Sequence, residues 1–427
     1  MIKDGFSVFR GKRVLLLQGP IGPFFRRFAH DLTLAGAQVF KVNFNGGDWF
    51  FYPSGAFHYR GRMDAWPAYF EELLDQLHVD IVMLFGDCRS IHRNAHEIAH
   101  KRGLDIGVFE EGYVRPDYIT FEWFGVNGHS LIPRSPIFFL NKPSINIESP
   151  MPVGNTFWFA SLWAALYYLA ADLLRPLFPY YRHHRPLTCL EFFPWLRSLW
   201  RKGYYLVSER GIFSRLKKEL KGSFFLVPLQ VHNDAQIHTH SDFYSVNDFI
   251  DSVMVSFANQ ALPHHALVIK HHPLDRGYSD CARFISRRVK ELGLQGRCFY
   301  IHDQHLPTLL KCARGVIVIN STVGLSALFH GTPTKVCGNA LYNIKGLTFQ
   351  GKLDDFWQKI RLAKPDRHLF KNFYNYLVQR TQLNGSFYRR LIIVASDAGL
   401  RVSFGEKMGK ASTQHAVEHV KQRNNRQ

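Results

Sequence analysis

Phe224-Phe225-Leu226-Val227-Pro228-Leu229-Gln230-Val231-His232-Asn233-Asp234 sets a short apolar run directly before a dense polar tip. Two later stretches repeat the layout: Ala266-Leu267-Val268-Ile269-Lys270-His271-His272-Pro273 and Gly315-Val316-Ile317-Val318-Ile319-Asn320-Ser321-Thr322-Val323-Gly324-Leu325. A parallel strand buried on both faces reads as a continuous apolar run. In open α/β sheets, ligands bind just beyond the carboxyl ends of such strands. Three tips rich in His, Lys, Ser, Thr, Asn and Gln therefore point to one crevice that holds an anion and a nucleoside.

The amino-terminal part repeats the alternation of strand and helix. Arg13 to Gln18, Gln38 to Asn43, Asp80 to Phe85 and Ile106 to Phe109 read as strands. Phe24 to Ala35, Trp66 to Leu77 and Ser90 to Arg102 read as helices. In the second unit, helices are expected at Val246 to Ala261, Asp280 to Leu292 and Leu306 to Ala313, with a strand at Cys298 to Ile301. The expected fold class is α/β: two Rossmann-like lobes, as in a GT-B type nucleotide-sugar transferase, joined by an aromatic and basic insert. The expected divisions are 1–135, an acceptor-side lobe; 136–220, an irregular insert; 221–345, a nucleotide-sugar lobe; 346–404, helical; and 405–427, a disordered basic tail.

The chain has 427 residues and a formal charge of +19, with 37 Phe, 18 Tyr and 8 Trp. Such an excess of positive charge favours polyanions. It recurs at Arg26-Arg27, Arg182 to Arg185, Arg197 to Lys202 and Lys217 to Lys221, with no nucleic-acid-binding signature beside it. A membrane surface or a phosphorylated substrate is the expected partner, rather than nucleic acid. The apolar stretch from Phe157 to Ala171 is short of the ~20 residues a spanning helix needs. It suits a helix lying in the membrane interface or one buried between domains. The amino terminus lacks the pattern of a signal peptide. Six cysteines without a C-x-x-C pair fit a reducing cytosol, and no metal-ligand spacing occurs among the 22 histidines.

Four segments carry candidate chemistry. In Phe109-Glu110-Glu111-Gly112-Tyr113-Val114-Arg115-Pro116-Asp117, two carboxylates end a strand and Arg115 lies close enough in sequence to pair with one. One ionised and one less ionised carboxylate suit nucleophile and proton manager at a sugar carbon. The same residues also suit a strand-end turn closed by a salt bridge, a common use of strand-end charges. Lys270, His271, His272 and Pro273 place imidazoles on opposite faces of a strand end, so one can meet a departing phosphate. The alternative is a His that caps the tip. Asn320, Ser321, Thr322 and Gly324 open a helix whose amino terminus suits a phosphate, or is simply capped. Gln230 and His232 share a face by period two and suit a base or sugar, or a polar loop. Gly19 and Gly22 form a weaker anion loop, next to which Phe24-Phe25-Arg26-Arg27 suits a lipid headgroup. His302 and Asp303 end a further strand near the expected base or ribose.

Together these segments resemble the bacterial capsule-synthesis β-Kdo transferases of the KpsS type, known as capsule polysaccharide export or modification proteins. The resemblance rests on Gly19-Pro20-x-Gly22-Pro23-Phe24-Phe25, the Phe109 to Glu122 segment, Gly125-Val126-Asn127, Pro228 to Asp234, Lys270-His271-His272-Pro273 and Asn320 to Gly324. It implies transfer of Kdo from CMP-β-Kdo to a phosphatidylglycerol-type lipid, with retention, at the foot of a capsular polysaccharide. It also implies a peripheral protein on the cytoplasmic face of the inner membrane, near other capsule synthesis and export proteins. By position, Glu111 is the implied nucleophile, with Glu110 the other candidate, since relatives often carry Asp there. His271, His272, Ser321 and Thr322 would hold the CMP phosphate and Kdo carboxylate, and Gln230 and His232 would line the donor site. No cofactor and no metal is expected. Other readings are a transferase for another CMP- or UDP-sugar, a non-enzymatic adaptor of the export machine, and nucleic-acid binding from charge alone.

Overall fold

The computed structural model describes residues 5–142, 146–182 and 192–401. Twelve strands occur among the described residues: β1 (Arg13–Leu16), β2 (Gln38–Asn43), β3 (Phe57–His58), β4 (Ile81–Phe85), β5 (Asp105–Glu111), β6 (Tyr118–Trp123), β7 (Phe224–Pro228), β8 (Ala266–Lys270), β9 (Cys298–Ile301), β10 (Gly315–Val318), β11 (Thr334–Val336) and β12 (Gln382–Asn384). They form two sheets, and the chain divides into two compact units, one around each.

Among the described residues, unit 1 comprises 5–132, 146–182 and 376–401. Its sheet runs β12-β6-β5-β4-β1-β2-β3. The strands from β5 to β3 are mutually parallel, while β6 and β12 add antiparallel neighbours at one edge. Strand β1 shows why the apolar runs are continuous. Val14 and Leu16 enter one core with Phe24, Phe28 and Phe109, while Leu15 and Leu17 enter the other with Phe44, Trp66 and Phe70. Both faces are buried from Val14 onward, so that run is apolar throughout. The helices α1 (Phe24–Leu34), α2 (Gly46–Phe51), α3 (Trp66–Leu77) and α4 (Ser90–Lys101) connect these strands. Phe24 and Phe25 are buried in an aromatic cluster with Phe28 and Phe109. This corrects the expectation that they meet a lipid headgroup: burial of two large rings outweighs any surface role.

The aromatic stretch forms α5 (Phe157–Leu173) in unit 1. Its second half is buried through Tyr167, Tyr168, Ala170 and Ala171, whereas Phe157, Trp158 and Leu162 in its first half are exposed. No helix among the described residues is long and apolar enough to cross a membrane.

Among the described residues, unit 2 comprises 133–142 and 192–375. Its sheet, β11-β10-β7-β8-β9, is entirely parallel. Around it lie α6 (Phe192–Ser208), α7 (Val246–Gln260), α8 (Ala282–Glu291) and α9 (Val323–Phe329). Phe225, Val227, Leu267, Ile269 and Ile317 pack with Phe257 and Trp357 in one core. The helix α10 (Arg367–Thr381) begins in unit 2 and ends in unit 1.

Two expectations on organisation are revised. The stretch 136–220 is not a separate insert: α5 belongs to unit 1, and α6 with the short helix Ile212–Lys218 belongs to unit 2. The stretch 346–404, expected to be helical, is not continuously so over its described part. It contains a four-residue helix, α10, and then β12, whose three residues pair with β6. The tail 405–427 and residues 183–185 of the basic cluster lie outside the described residues. No disulfide is present among the described cysteines.

In each sheet the strand order reverses beside the first strand, between β1 and β4 in unit 1 and between β7 and β10 in unit 2. Chain connections leave in opposite directions at such a point and open a crevice at the strands' carboxyl ends. Both corners hold the candidate residues.

Candidate functional site

In unit 1 the corner is acidic. Strand β5 ends at Glu110 and Glu111 because β6 turns back against it, pairing Glu110 with Thr120 and Glu111 with Ile119. Gly112 sits where a Cβ would lie 2.1 Å from Tyr118 O, so only glycine fits this turn. One Glu110 oxygen accepts from the Glu111 N–H at 2.9 Å. Burial pushes the Glu110 carboxyl up to about 7; that backbone bond opposes the shift, and the nearby charges of Glu111 and Asp87 add to it. A carboxyl in that range can hold or release a proton near neutral pH.

Glu111 is half-buried, and its Oε1 accepts from the Tyr388 hydroxyl at 2.8 Å. Tyr388 is 277 residues away in sequence, in the segment after β12, and burial raises its pKa well above the ordinary value. Its carbonyl in turn accepts from the Trp163 indole of α5 at 3.0 Å. Arg115 donates to Gly112 O at 3.2 Å, so its hydrogen bond goes to the turn's backbone rather than to a carboxylate as expected. The backbone claims the guanidinium because the turn leaves that carbonyl without a strand partner.

The neighbouring strand tip completes the corner. Gly86, after β4, has φ +68, and an ideal Cβ there would lie 3.4 Å from Glu110 Oε2. Its carbonyl contacts His92 Nδ1 at 2.7 Å, and burial holds that imidazole neutral, down to about 3. Asp87 is almost fully buried. Burial alone would raise its pKa, but the hydrogen bond and charge of His129, with the Val126 N–H, bring it down to about 2.

On the other side of the reversal, Gln18 follows β1. Its amide donates to Asp48 Oδ2 at 3.1 Å and Tyr181 Oη at 2.8 Å, and its carbonyl accepts from Arg89 at 3.3 Å. Gly19 lies 2.7 Å, by an ideal Cβ, from the Phe25 ring. Gly22 has φ +117, a conformation that favours glycine, and an ideal Cβ there would lie 3.2 Å from the Trp163 ring. The two glycines line a cavity with Lys41, Asp48, Tyr52 and Tyr167. Burial brings the Lys41 ammonium down to about 8, against the pull of Asp48.

In unit 2 the corner is built from amides, imidazoles and hydroxyls. Gln230, after β7, donates to Asn320 Oδ1 at 2.9 Å and to Asp234 Oδ2 at 3.0 Å. The first bond ties the β7 tip to the β10 tip across the reversal. His232 turns elsewhere: its Nδ1 and backbone N–H both meet the buried Asp275. Gln230 and His232 therefore do not act as one face, because the chain has left the strand at Pro228 and period two no longer applies.

Lys270 and His271 are buried at the end of β8. Burial lowers the Lys270 pKa, opposed by the charges of Asp303 and Glu209. His271 Nδ1 contacts Tyr300 Oη at 2.7 Å, and its Nε2 is buried with no hydrogen-bond partner among the described residues. Burial, with the neighbouring His302, pushes His271 down to about 4, so it is a neutral imidazole at pH 7 rather than a cation for a phosphate. His272 Nδ1 accepts from Leu274 N–H at 3.2 Å, and with Pro273 it starts a single 3₁₀ turn ending at Asp275. This is the tip-capping alternative for His272. His302 is buried, bound to Glu209 Oε1 at 2.5 Å and stacked on Tyr205, and Asp303 pairs with Arg276. Both side chains are thus engaged within unit 2.

Ser321 Oγ accepts from Val323 N–H at 3.3 Å, and Thr322 occupies the N-cap position of α9 without a side-chain capping bond. Gly324 is where a Cβ would lie 2.2 Å from Tyr342 Oη, and that hydroxyl donates to Ser321 O. Tyr342 thus fixes the loop from below. Sequence reasoning missed Tyr388, Lys41 and Tyr342, which act from elements distant in sequence, and Gln18 and Asp275, which lie beside the candidate motifs; Gln18 alone carried a signal, as the first polar residue after a strand.

Comparison with known proteins agrees with the sequence resemblance. Residues 80–388 match the family described as capsule polysaccharide biosynthesis protein. The capsule polysaccharide export protein KpsS of Escherichia coli is 43% identical over 388 residues, covering 88% of this chain and 97% of that protein. The capsule polysaccharide modification protein LipB of Neisseria meningitidis serogroup A is 41% identical over 391 residues, covering 89% of this chain and 92% of that protein. Among solved structures, the Thermosulfurimonas dismutans KpsC beta Kdo 2,7 transferase aligns at a TM-score of 0.40 with 15% identity, covering 90% of this chain and 99% of that one.

Proposed function

The chain belongs to the capsule polysaccharide biosynthesis family, and from that premise we propose that it is a retaining glycosyltransferase. It moves Kdo from CMP-β-Kdo to a phosphatidylglycerol-type lipid and so starts the linker of a capsular polysaccharide. The observation that carries this reading is the acid corner of unit 1. Two adjacent carboxyls end β5, one held by Tyr388 and the other able to exchange a proton near pH 7. Retention needs two displacements. In the first, a Glu111 oxygen bonds to the anomeric carbon, and the bond to the CMP oxygen breaks with its electron pair leaving on CMP. In the second, the acceptor hydroxyl displaces Glu111 and its proton passes to Glu110. The adjacent-carboxyl arrangement supports such a division of roles, because unlike environments push two acids apart.

The donor is anionic at its phosphate and at the Kdo carboxylate. Lys270, Ser321, Thr322, Asn320 and Gln230 in unit 2 are the groups suited to it, with His271 as a neutral donor. No metal or cofactor is called for, since charge neutralisation by the protein suffices for a phosphate leaving group. The protein sits peripherally on the cytoplasmic face of the inner membrane, where its lipid acceptor lies, among other capsule synthesis and export proteins.

Purified protein incubated with CMP-β-Kdo and phosphatidylglycerol should release CMP and add Kdo to the lipid. Glu111→Gln should abolish both while leaving the melting temperature unchanged. An adaptor without catalysis would leave the donor intact in every case, and cells carrying Glu111→Gln would still make capsule.

A further inference from the structure

Helix α6 is inside out. On the side facing unit 2 it presents polar groups four residues apart. Arg197 donates to Gly277 O at 2.6 Å, Arg201 to Arg276 O at 2.8 Å and Ser279 O at 3.1 Å, and the Tyr205 ring stacks on His302 at 3.4 Å. Arg276 returns a bond to Ser198 O at 3.0 Å. The outward side carries Leu196, Leu199, Trp200, Tyr204 and Val207, at helical spacing. These are 47–69% exposed. An ordinary surface helix buries its apolar stripe and exposes its charges. Here guanidinium-to-carbonyl bonds hold the helix in place, and the apolar stripe is left for another occupant.

We infer that the outward face of α6 docks the protein onto an anionic lipid surface. The charge around the stripe selects this occupant. Residues 192–222 contain eight basic side chains and two acidic ones. Both acids are engaged, Glu209 with His302 and Glu219 with Arg215. Lys202, Arg210, Lys217, Lys218 and Lys221 are exposed. A second copy of the chain would bring two such basic rims together, whereas anionic headgroups complement them. Trp200 and Tyr204 are the ring types that settle at the lipid–water boundary. At about 1.5 Å per residue, the 17 residues of α6 lie flat over about 25 Å of surface. The inference rests on the peripheral location proposed above but not on catalysis.

Flotation of the full chain with vesicles tests it. The parent should float with phosphatidylcholine vesicles containing phosphatidylglycerol, and far less with phosphatidylcholine alone. Leu199→Ser/Trp200→Ser should cut the bound fraction at least about tenfold with an unchanged melting temperature. Lys217→Ser/Lys218→Ser should weaken binding several-fold, with the difference fading in high salt. A Leu199→Ser/Trp200→Ser protein that floats like the parent overturns the inference. So does a parent that stays at the bottom with both vesicle types, including one that is a dimer split by the same substitutions. CMP release measured in parallel separates the two readings: flotation as described without CMP release leaves the docking face standing and removes the transferase.

Discussion

The corner of unit 1 and the corner of unit 2 occupy equivalent places in two sheets, each at the reversal beside the first strand, yet they are opposite in chemistry. Each has a glutamine just past its first strand, Gln18 and Gln230, tied to the strand tip across the reversal through Arg89 and Asn320. Beyond that amide, unit 1 places Glu110, Glu111 and Asp87, and unit 2 places Lys270, His271 and Asn320. Burial then changes what these residues are. It raises Glu110 to about 7 and lowers His271 to about 4, so the acid corner can carry a proton and the imidazole carries no charge. The scaffold determines where chemistry sits, and local burial decides which protonation state performs it.

Four experiments test this contrast. The largest effect belongs to Glu111→Gln, which should reduce transfer by roughly 10³-fold or more with the donor KM little changed. An equal loss from His271→Asn would move the chemistry to unit 2. Next is Glu110. Its raised carboxyl contributes stability that is full below pH 4.5 and is lost as pH rises through about 7. The change amounts to roughly 3 kcal/mol. Denaturant titrations should therefore show Glu110→Gln gaining stability over the parent at pH 8 and losing that advantage at pH 4. A variant tracking the parent across this range would mean that Glu110 is ordinary. Tyr388→Phe removes the hydroxyl that holds Glu111 and should lower kcat about tenfold or more while KM holds. The smallest effect is expected from Gln230→Ala, which unties β7 from β10. It should raise the donor KM about fivefold, at constant kcat.

The alternation of strand and helix was legible because buried parallel strands demand unbroken apolar runs, as at Val14 to Leu17 and Phe224 to Val227. Helix Trp66–Leu77 matches its expected bounds for the same reason: its spacing admits one buried face. Strand β12 was not legible, since Gln382, Leu383 and Asn384 show no strand pattern and are recruited by the free edge of β6. In the sites, Glu110 and Glu111 stood out as polar residues at a strand end. Their partner Tyr388 did not, because nothing local marks a hydroxyl brought in over 277 residues. Helix α6 was hidden by its own inversion. Arg197 to Lys202 read as a charge cluster, whereas Arg197 and Arg201 are anchors and Leu199 and Trp200 between them face outward.

In the proposed reaction the acid corner forms a bond to an activated acidic sugar and passes it to a lipid. Mass spectrometry of phosphatidylglycerol after incubation with CMP-β-Kdo and the purified chain decides whether it does. A lipid heavier by one or more Kdo residues, present with the parent and missing with Glu111→Gln, is the predicted result. An unmodified lipid beside intact CMP-β-Kdo, from protein that melts cooperatively, would contradict it.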